Sequence, residues 1–110
     1  MTAELVAQTD AIALGEVKSF EVAGIPVAVY NIDGQFYATH DICTHATASL
    51  SEGDVEGDRI VCPVHFGEFH IPTGQAVELP CERPLQTFLV YVEGENVYVD
   101  VERESLALQQ

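Results

Sequence analysis

Turn-forming residue pairs recur along this 110-residue chain at intervals that leave room for short strands but not for long helices. The pair Asp33-Gly34 is the strongest signal, because both central residues of a type I′ hairpin turn need positive φ. Two further turns are predicted at residues 23–24 and 94–95, and Val, Ile, Tyr and Phe fill the segments between turns, often at every second position. No interior window of ten residues has helical periodicity. The sequence therefore predicts an all-β domain of short antiparallel strands.

The charge of the chain is strongly unbalanced, with 18 acidic and 4 basic residues and a formal net charge of −14. Its basic residues are scattered along the sequence, at Lys18, Arg59, Arg83 and Arg103. Nucleic acids and anionic membranes bind clustered basic surfaces, so neither is expected as a partner. The negative field is expected instead to attract basic surfaces on partner proteins.

The length suits one domain, which we expect to span residues 1–101 and to be followed by a polar C-terminal tail over 102–110. No basic segment followed by an apolar run is present at the front of the chain. The longest uncharged run near the front, Val22 to Ile32, is far shorter than the ~20 residues of a membrane helix. Three cysteines are too few for a disulfide framework. We therefore expect a cytoplasmic protein.

Two short segments each combine a cysteine with a histidine, in the pattern C-x-H, then sixteen residues, then C-x-x-H. Both segments interrupt the strand pattern and are predicted to be loops. Thiolate and imidazole ligands suit zinc, copper or iron–sulfur centres, whereas calcium and magnesium need oxygen ligands. Two such loops can face each other and close over a metal centre. The candidate ligands are Cys43, His45, Cys62 and His65.

This motif resembles the ligand pattern of Rieske-type [2Fe–2S] proteins, and the residues around it match the family as well. Pro63 follows the second cysteine, Phe69 lies four residues after the second histidine, and Thr73-Gly74 lies beyond it. The resemblance extends over nearly the whole chain. It implies the Rieske fold, an antiparallel β-sandwich with a small cluster-binding subdomain made of two loops.

The resemblance also implies one Rieske-type [2Fe–2S] cluster and a role for each ligand. Cys43 and Cys62 would bind the buried iron, and His45 and His65 would bind the iron nearer the solvent. Histidine ligation raises the reduction potential, because the oxidised centre is then neutral and accepts an electron more readily than an anionic four-cysteine centre.

Details of the two loops indicate which kind of Rieske protein this is. Respiratory and photosynthetic members carry two extra cysteines that form a disulfide between the loops, whereas this chain has Ala48 and Val64 there. That difference agrees with a reducing compartment. High-potential members also place hydroxyl-bearing residues where this chain has Gly67 and Phe69. We therefore expect a potential near the low end of the Rieske range, about −150 mV.

The chain most resembles the free-standing Rieske ferredoxins of bacterial multicomponent aromatic-ring oxygenase systems. This implies a monomeric one-electron carrier, not an enzyme, between an NADH-dependent flavin reductase and a terminal Rieske oxygenase in aromatic hydrocarbon catabolism. In agreement, the sequence has no G-x-G-x-x-G motif and nothing after residue 101 to form a catalytic domain. Two alternatives stay open: a ferredoxin of a di-iron monooxygenase, and a structural Cys₂His₂ zinc module, which would be colourless and redox-silent.

The sequence also predicts roles for residues that lie near the motif but are not ligands. His40, His70 and Cys81 fall outside the ligand positions, and residues 80–84 resemble the proline-containing loop that covers the cluster in the family. The carboxylates of residues 52–58 are expected to form either a solvated hairpin or a docking stripe, and partners are expected to dock around the two ligand histidines. Three apolar side chains are expected to pack around the cluster and exclude water: Phe66, Phe69 and Ile71.

Overall fold

The computed structural model describes residues 3–43, 48–64, 66–78 and 84–103, and in these ranges it confirms the all-β prediction. Two short 3₁₀ helices, Thr9–Ala11 and Leu50–Glu52, accompany the strands. The strands in chain order are β1 (Ala3–Gln8), β2 (Val17–Val22), β3 (Ile25–Ile32), β4 (Gln35–His40), β5 (Asp54–Glu56), β6 (Arg59–Val61), β7 (Glu68–His70), β8 (Ala76–Glu78), β9 (Thr87–Glu93) and β10 (Asn96–Asp100).

The strands form two antiparallel sheets of unequal size. The larger sheet has six strands in the order β1-β10-β9-β4-β3-β2, and the smaller has four in the order β5-β6-β7-β8. All four strands of the smaller sheet come between β4 and β9 in the sequence, so this part of the chain is an insertion into the larger sheet. The cluster-binding subdomain was predicted as two loops, and the structure adds a four-stranded sheet: the second loop joins β6 to β7 of that sheet, and the first loop leads from β4 of the larger sheet towards it.

The hairpin turns have the backbone that the sequence predicted. Asp33 and Gly34 both have positive φ, +53° and +88°, and the side chain of Asn31 accepts a hydrogen bond from the Gly34 N–H at 2.9 Å. Ala23 and Gly24 have the same left-handed pair, at +52° and +80°. These turns set the register of β2, β3 and β4, so the central part of the larger sheet follows from local chemistry.

Strand β3 is buried on both faces and joins two hydrophobic cores. Val27 and Val29 belong to the core inside the larger sheet, together with buried residues of β9 and β10. Ala28 and Tyr30, which point to the other face, belong to a second core shared with the smaller sheet. The smaller subdomain therefore packs directly on the middle of the larger sheet.

The strands that were not predicted from the sequence include β1 and β7. β1 is made of Ala, Glu, Leu, Val and Gln, several of which favour helices, and it forms a strand because it pairs with β10 from Ala3↔Asp100 to Gln8↔Asn96. β7 lies inside a segment predicted as a loop, and it pairs with β6 through Ile60↔Phe69. The partner of β1 is distant in the chain and the partner of β7 is the preceding strand, and in both cases the partner supplies hydrogen bonds that the residue types of the strand do not predict.

The predicted boundary between domain and tail falls near the end of the described residues. Residues 104–110 lie outside them, and the division at 101–102 stays a prediction. The backbone N–H of Leu89 donates to the carbonyl of Arg103 at 2.9 Å, so the first residues after β10 are still tied to β9. No helix in the described part of the chain is long and apolar enough to cross a membrane.

Candidate metal centre

The two cysteines of the motif meet in the core between the sheets. Cys43 follows β4 and Cys62 follows β6, and their exposed fractions are 4% and 0%. The two side chains are hydrogen-bonded to each other, and neither forms a disulfide. Burial raises the pKa of the Cys62 thiol to about 11, a hydrogen bond from the Val64 backbone lowers it in part, and the neighbouring Cys43 thiol raises it further. A pair of sulfurs at one buried point suits a soft cation, which holds such thiols as thiolates.

The first ligand loop is closed by a short antiparallel ladder. Leu50 N–H donates to the Asp41 carbonyl at 2.7 Å, Ile42 bridges to Ser49, and Cys43 N–H donates to the carbonyl of residue 48 at 2.9 Å. The ladder encloses residues 44–47, which lie outside the described part of the chain. The predicted ligand at position 45 is among them, so its ligation stays a prediction.

The second ligand loop closes over the same distance along the chain as the innermost bond of the first, five residues. Cys62 N–H donates to the Gly67 carbonyl at 2.8 Å, and Phe66 adopts a left-handed backbone with φ +60°. The loop joins β6 to β7 and begins with Cys62 at the end of a strand. His65, the remaining predicted ligand, lies outside the described residues, and its ligation also stays a prediction.

Gly53 brings the two loops together. A Cβ built on Gly53 would overlap the carbonyl oxygen of Val61, and the Leu50 carbonyl lies 3.2 Å from the same position. Val61 is the residue before Cys62, so the end of the first loop rests against the strand that leads into the second. The close backbone approach at Gly53 follows from the pairing of β5 with β6.

Comparison with known proteins identifies the family. Residues 2–89 match the family model of the Rieske [2Fe-2S] domain. This chain belongs to the Rieske family. Membership decides between the two metal chemistries that the sequence left open: the chain carries one Rieske-type [2Fe–2S] cluster, not a structural zinc ion.

The relatives within the Rieske family include ferredoxins of dioxygenase systems. The ferredoxin component of the p-cumate 2,3-dioxygenase system of Pseudomonas putida is 46% identical over 95 residues, which cover 84% of this chain and 80% of the relative. The ferredoxin component of biphenyl 2,3-dioxygenase of Rhodococcus jostii (strain RHA1) is 45% identical over 91 residues, covering 83% and 85%. These relatives are named as ferredoxin components of oxygenase systems, which are electron-transfer parts and not the catalytic ones.

Solved structures agree with this family assignment. A chain in the complex of reduced oxygenase and oxidized ferredoxin in carbazole 1,9a-dioxygenase superposes with a TM-score of 0.89 and 41% identity, covering 94% of this chain and 96% of the other. The similarity therefore extends over the larger sheet and over the inserted subdomain with its two loops. The predicted Rieske fold is confirmed.

Two of the three apolar residues expected around the cluster are where the sequence placed them. Phe69 and Ile71 are fully buried, and they share the core that contains Cys43 and Cys62. Phe66 is 72% exposed, so the prediction that it packs around the cluster is wrong. Its left-handed backbone turns the loop sharply, and the ring is left in solvent at the loop tip.

The remaining histidines have hydrogen bonds of their own. His40 Nδ1 accepts from the Ile42 N–H at 3.2 Å. His70 lies between Thr73 Oγ1 at 2.8 Å and the Asp58 carboxylate at 2.9 Å. Through these hydrogen bonds both rings stabilise loops. Cys81 and residues 80–83 of the predicted covering loop lie outside the described residues.

One buried residue next to the cluster loops was missed in the sequence. Asp41 is 3% exposed and receives hydrogen bonds from Ser49 and Ser51. An aspartate just before the first cysteine, with serines eight and ten residues later, is the only local signal of this arrangement. That signal is weak, because it becomes meaningful only when the loop folds back on itself.

Proposed function

We propose that this protein is a one-electron carrier of an aromatic-ring dioxygenase system, taking electrons from an NADH-dependent flavin reductase and delivering them to the terminal oxygenase. The observation that carries the proposal is the match, over nearly the whole chain, to the carbazole 1,9a-dioxygenase complex of oxygenase and ferredoxin. The relatives described above are also named for dioxygenases, which favours this client over a di-iron monooxygenase.

We propose the four motif residues as the cluster ligands, with Cys43 and Cys62 on the inner iron and His45 and His65 on the outer one. The burial of both thiols at one point supports the inner pair. When bound, the cluster supplies one reversible electron. The surrounding residues keep water away from the sulfurs and leave the loop tip open to a partner.

The loop tip has the character of a small docking face. Phe66 is exposed, and Val64 beside it is 37% exposed. Both flank position 65, a proposed ligand, so a partner that covers them approaches the cluster by the shortest route. A small apolar contact surface suits a transient redox encounter, in which release must be as fast as binding.

The protein is proposed to act in a reducing cytoplasm and as a monomer. Ala48 is buried and Val64 is half-exposed, and neither offers the sulfur that a clamp between the loops would need. A monomer keeps the loop tip free for the reductase and the oxygenase in turn.

A reconstituted electron-transfer chain tests the proposed function. The purified protein is combined with a flavin reductase and the terminal oxygenase of an aromatic dioxygenase system, and NADH oxidation is measured together with hydroxylated product. Product that depends on this protein is the expected result. If reductase and oxygenase turned over equally fast without it, or if the reduced protein could not pass its electron to the oxygenase, the proposal would fail.

The reduction potential is expected to lie near the low end of the Rieske range, about −150 mV. Phe69 is fully buried in the core that contains both cysteines and has no hydroxyl to donate to the cluster sulfurs. Hydrogen bonds to the sulfurs favour the reduced state, so their absence at this position keeps the potential low. Redox titration followed by visible absorption measures it, and a midpoint above zero would contradict the argument.

Charge reversal on β5 is expected to slow reduction by the reductase about tenfold at low ionic strength, with the difference shrinking as salt is added. Asp54 and Glu56 are exposed, and β5 is an edge strand of the smaller sheet next to the cluster loops. The variant carries Asp54→Lys and Glu56→Lys, and stopped-flow absorption measures the rate. The matched control reverses Glu93 and Glu95, which are exposed at the β9–β10 turn of the larger sheet. Equal rates of reduction in both variants would mean that the β5 carboxylates are merely solvated and do not take part in docking.

A further inference from the structure

Asp41 is an acidic residue buried at the base of the first ligand loop. It follows β4 directly and is 3% exposed. A carboxylate in such a position is unfavourable unless hydrogen bonds replace its water. The hydrogen bonds of Asp41 therefore show how this residue stabilises the first ligand loop.

Both oxygens of the Asp41 carboxylate hold the far side of the loop. Oδ2 accepts from the Ser49 hydroxyl at 2.8 Å, and Oδ1 accepts from the Ser51 N–H at 2.9 Å. The backbone of Asp41 adds two more bonds, donating to the Pro26 carbonyl of β3 at 2.9 Å and accepting from Leu50 N–H at 2.7 Å. One residue thus ties both sides of the loop to each other and to the larger sheet.

The negative charge of Asp41 also acts on Tyr30. Burial raises the pKa of Tyr30 far above its usual value, a hydrogen bond with Thr39 opposes this, and the charge of Asp41 raises the pKa further. Tyr30 lies in the same hydrophobic core as Cys43 and Cys62. In a core with little water, a fixed negative charge opposes any further negative charge.

We propose that Asp41 positions the first ligand loop and lowers the reduction potential of the cluster through its buried negative charge. The inference rests on the proposed ligand set, because it takes Cys43, two residues further along, as a ligand. An arriving electron makes the centre more negative, so the nearby carboxylate disfavours the reduced state. Removal of the charge with the loop intact then makes reduction easier.

The Asp41→Asn substitution separates charge from geometry. The asparagine oxygen can accept from the Ser51 N–H, and its amide can donate to the Ser49 oxygen once that hydroxyl rotates. We expect the visible spectrum to be retained and the equilibrium constant for reduction to rise about tenfold, which is 59 mV for a one-electron couple. A midpoint equal to or below that of the wild type, with the spectrum intact, overturns the proposal.

Two aspartates provide matched controls for the change in charge. Asp100 is also buried, at 5% exposure, but it lies on β10, whose buried residues Val97 and Val99 belong to the other core. Asp54 is exposed on β5. Both variants are expected to shift the midpoint potential of the cluster less than the Asp41 variant does. Asp100→Asn has a smaller effect because of its position on β10, and Asp54→Asn has a smaller effect because water screens its charge. Equal shifts in all three would overturn the proposal.

The positioning role has a separate test that keeps the charge in place. Ser49→Ala removes one bond to the carboxylate, and we expect the visible absorbance to decay roughly tenfold faster in excess chelator. Ser19→Ala, at an exposed position on β2, is the control and is expected to decay at the wild-type rate. If Asp41→Asn lost its cluster altogether, Ser49→Ala would decide: faster decay supports the proposal, and a wild-type rate overturns it.

Failure of the ligand set and failure of the Asp41 proposal give different results. An incorrect ligand set would appear as an intact visible spectrum when a proposed ligand such as Cys43 is replaced by serine. An incorrect Asp41 proposal would appear as an unchanged midpoint or an unchanged decay rate in variants whose spectra are normal.

Discussion

Replacement of Cys62 by serine is expected to abolish the visible absorption of the cluster and to lower bound iron and acid-labile sulfide by well over tenfold. Cys62 is fully buried, and its sulfur lies beside that of Cys43 in the core between the sheets. A serine hydroxyl gives up its proton far less readily than a thiol and is a poor ligand for iron. Changes in groups that only orient a ligand already cost ~10–100-fold in metal affinity, so loss of a direct ligand costs more.

The measurement is an absorption spectrum together with iron and sulfide analysis of protein matured with ample iron and sulfide. Cys81→Ser is the matched control, because Cys81 belongs to neither ligand pair of the motif, and this variant is expected to keep its colour. A normal spectrum in the Cys62 variant would remove that residue from the ligand set. One zinc per chain and no acid-labile sulfide in the wild type would refute the cluster itself.

Replacement of Phe69 by alanine is expected to lower the free energy of unfolding by about 3–5 kcal/mol. The ring is fully buried in the core shared by the two sheets, where it packs near Cys62 and Ile60. Its removal leaves a cavity that the paired strands β6 and β7 hold open, because their ladder limits how far the surroundings can collapse. Chemical denaturation followed by circular dichroism measures the change.

Phe66→Ala is the control for this experiment, since it removes the same ring three residues earlier. Phe66 is exposed at the loop tip, so its loss is expected to change stability by no more than about 0.5 kcal/mol. Its effect is expected instead on the rate of electron transfer to the oxygenase, through the proposed docking face. A loss as small for Phe69→Ala as the one expected for Phe66→Ala would mean that the core does not depend on the Phe69 ring.

Much of the larger sheet could be predicted because its signals are local. Asp33 and Gly34 adopt the left-handed backbone that their residue types favour, and the hairpin on either side follows from it. The cysteine–histidine motif is equally local, since each half fits within four residues. Its resemblance to Rieske proteins led to the family that the comparison then identified.

The parts that could not be predicted depend on strand pairing or backbone conformation that residue types do not reveal. β1 is a strand only because β10 pairs with it, although its composition favours a helix. β7 occupies a segment rich in Pro and Gly at its ends, and three residues of strand in such a segment carry too little pattern to be recognised. The exposure of Phe66 follows from the backbone of one loop residue, which residue type alone does not reveal.

The sequence by itself determined the all-β class, the two loops, the four candidate ligands and the acidic charge, because each is a property of residue types and short spacings. Only the tertiary structure decided that Cys43 and Cys62 meet in a buried core and that Asp41 ties the first loop to the larger sheet. The physical reason is that burial and hydrogen-bond partners are set by segments distant in the chain. A buried charge or an exposed ring therefore becomes visible only once those segments have packed.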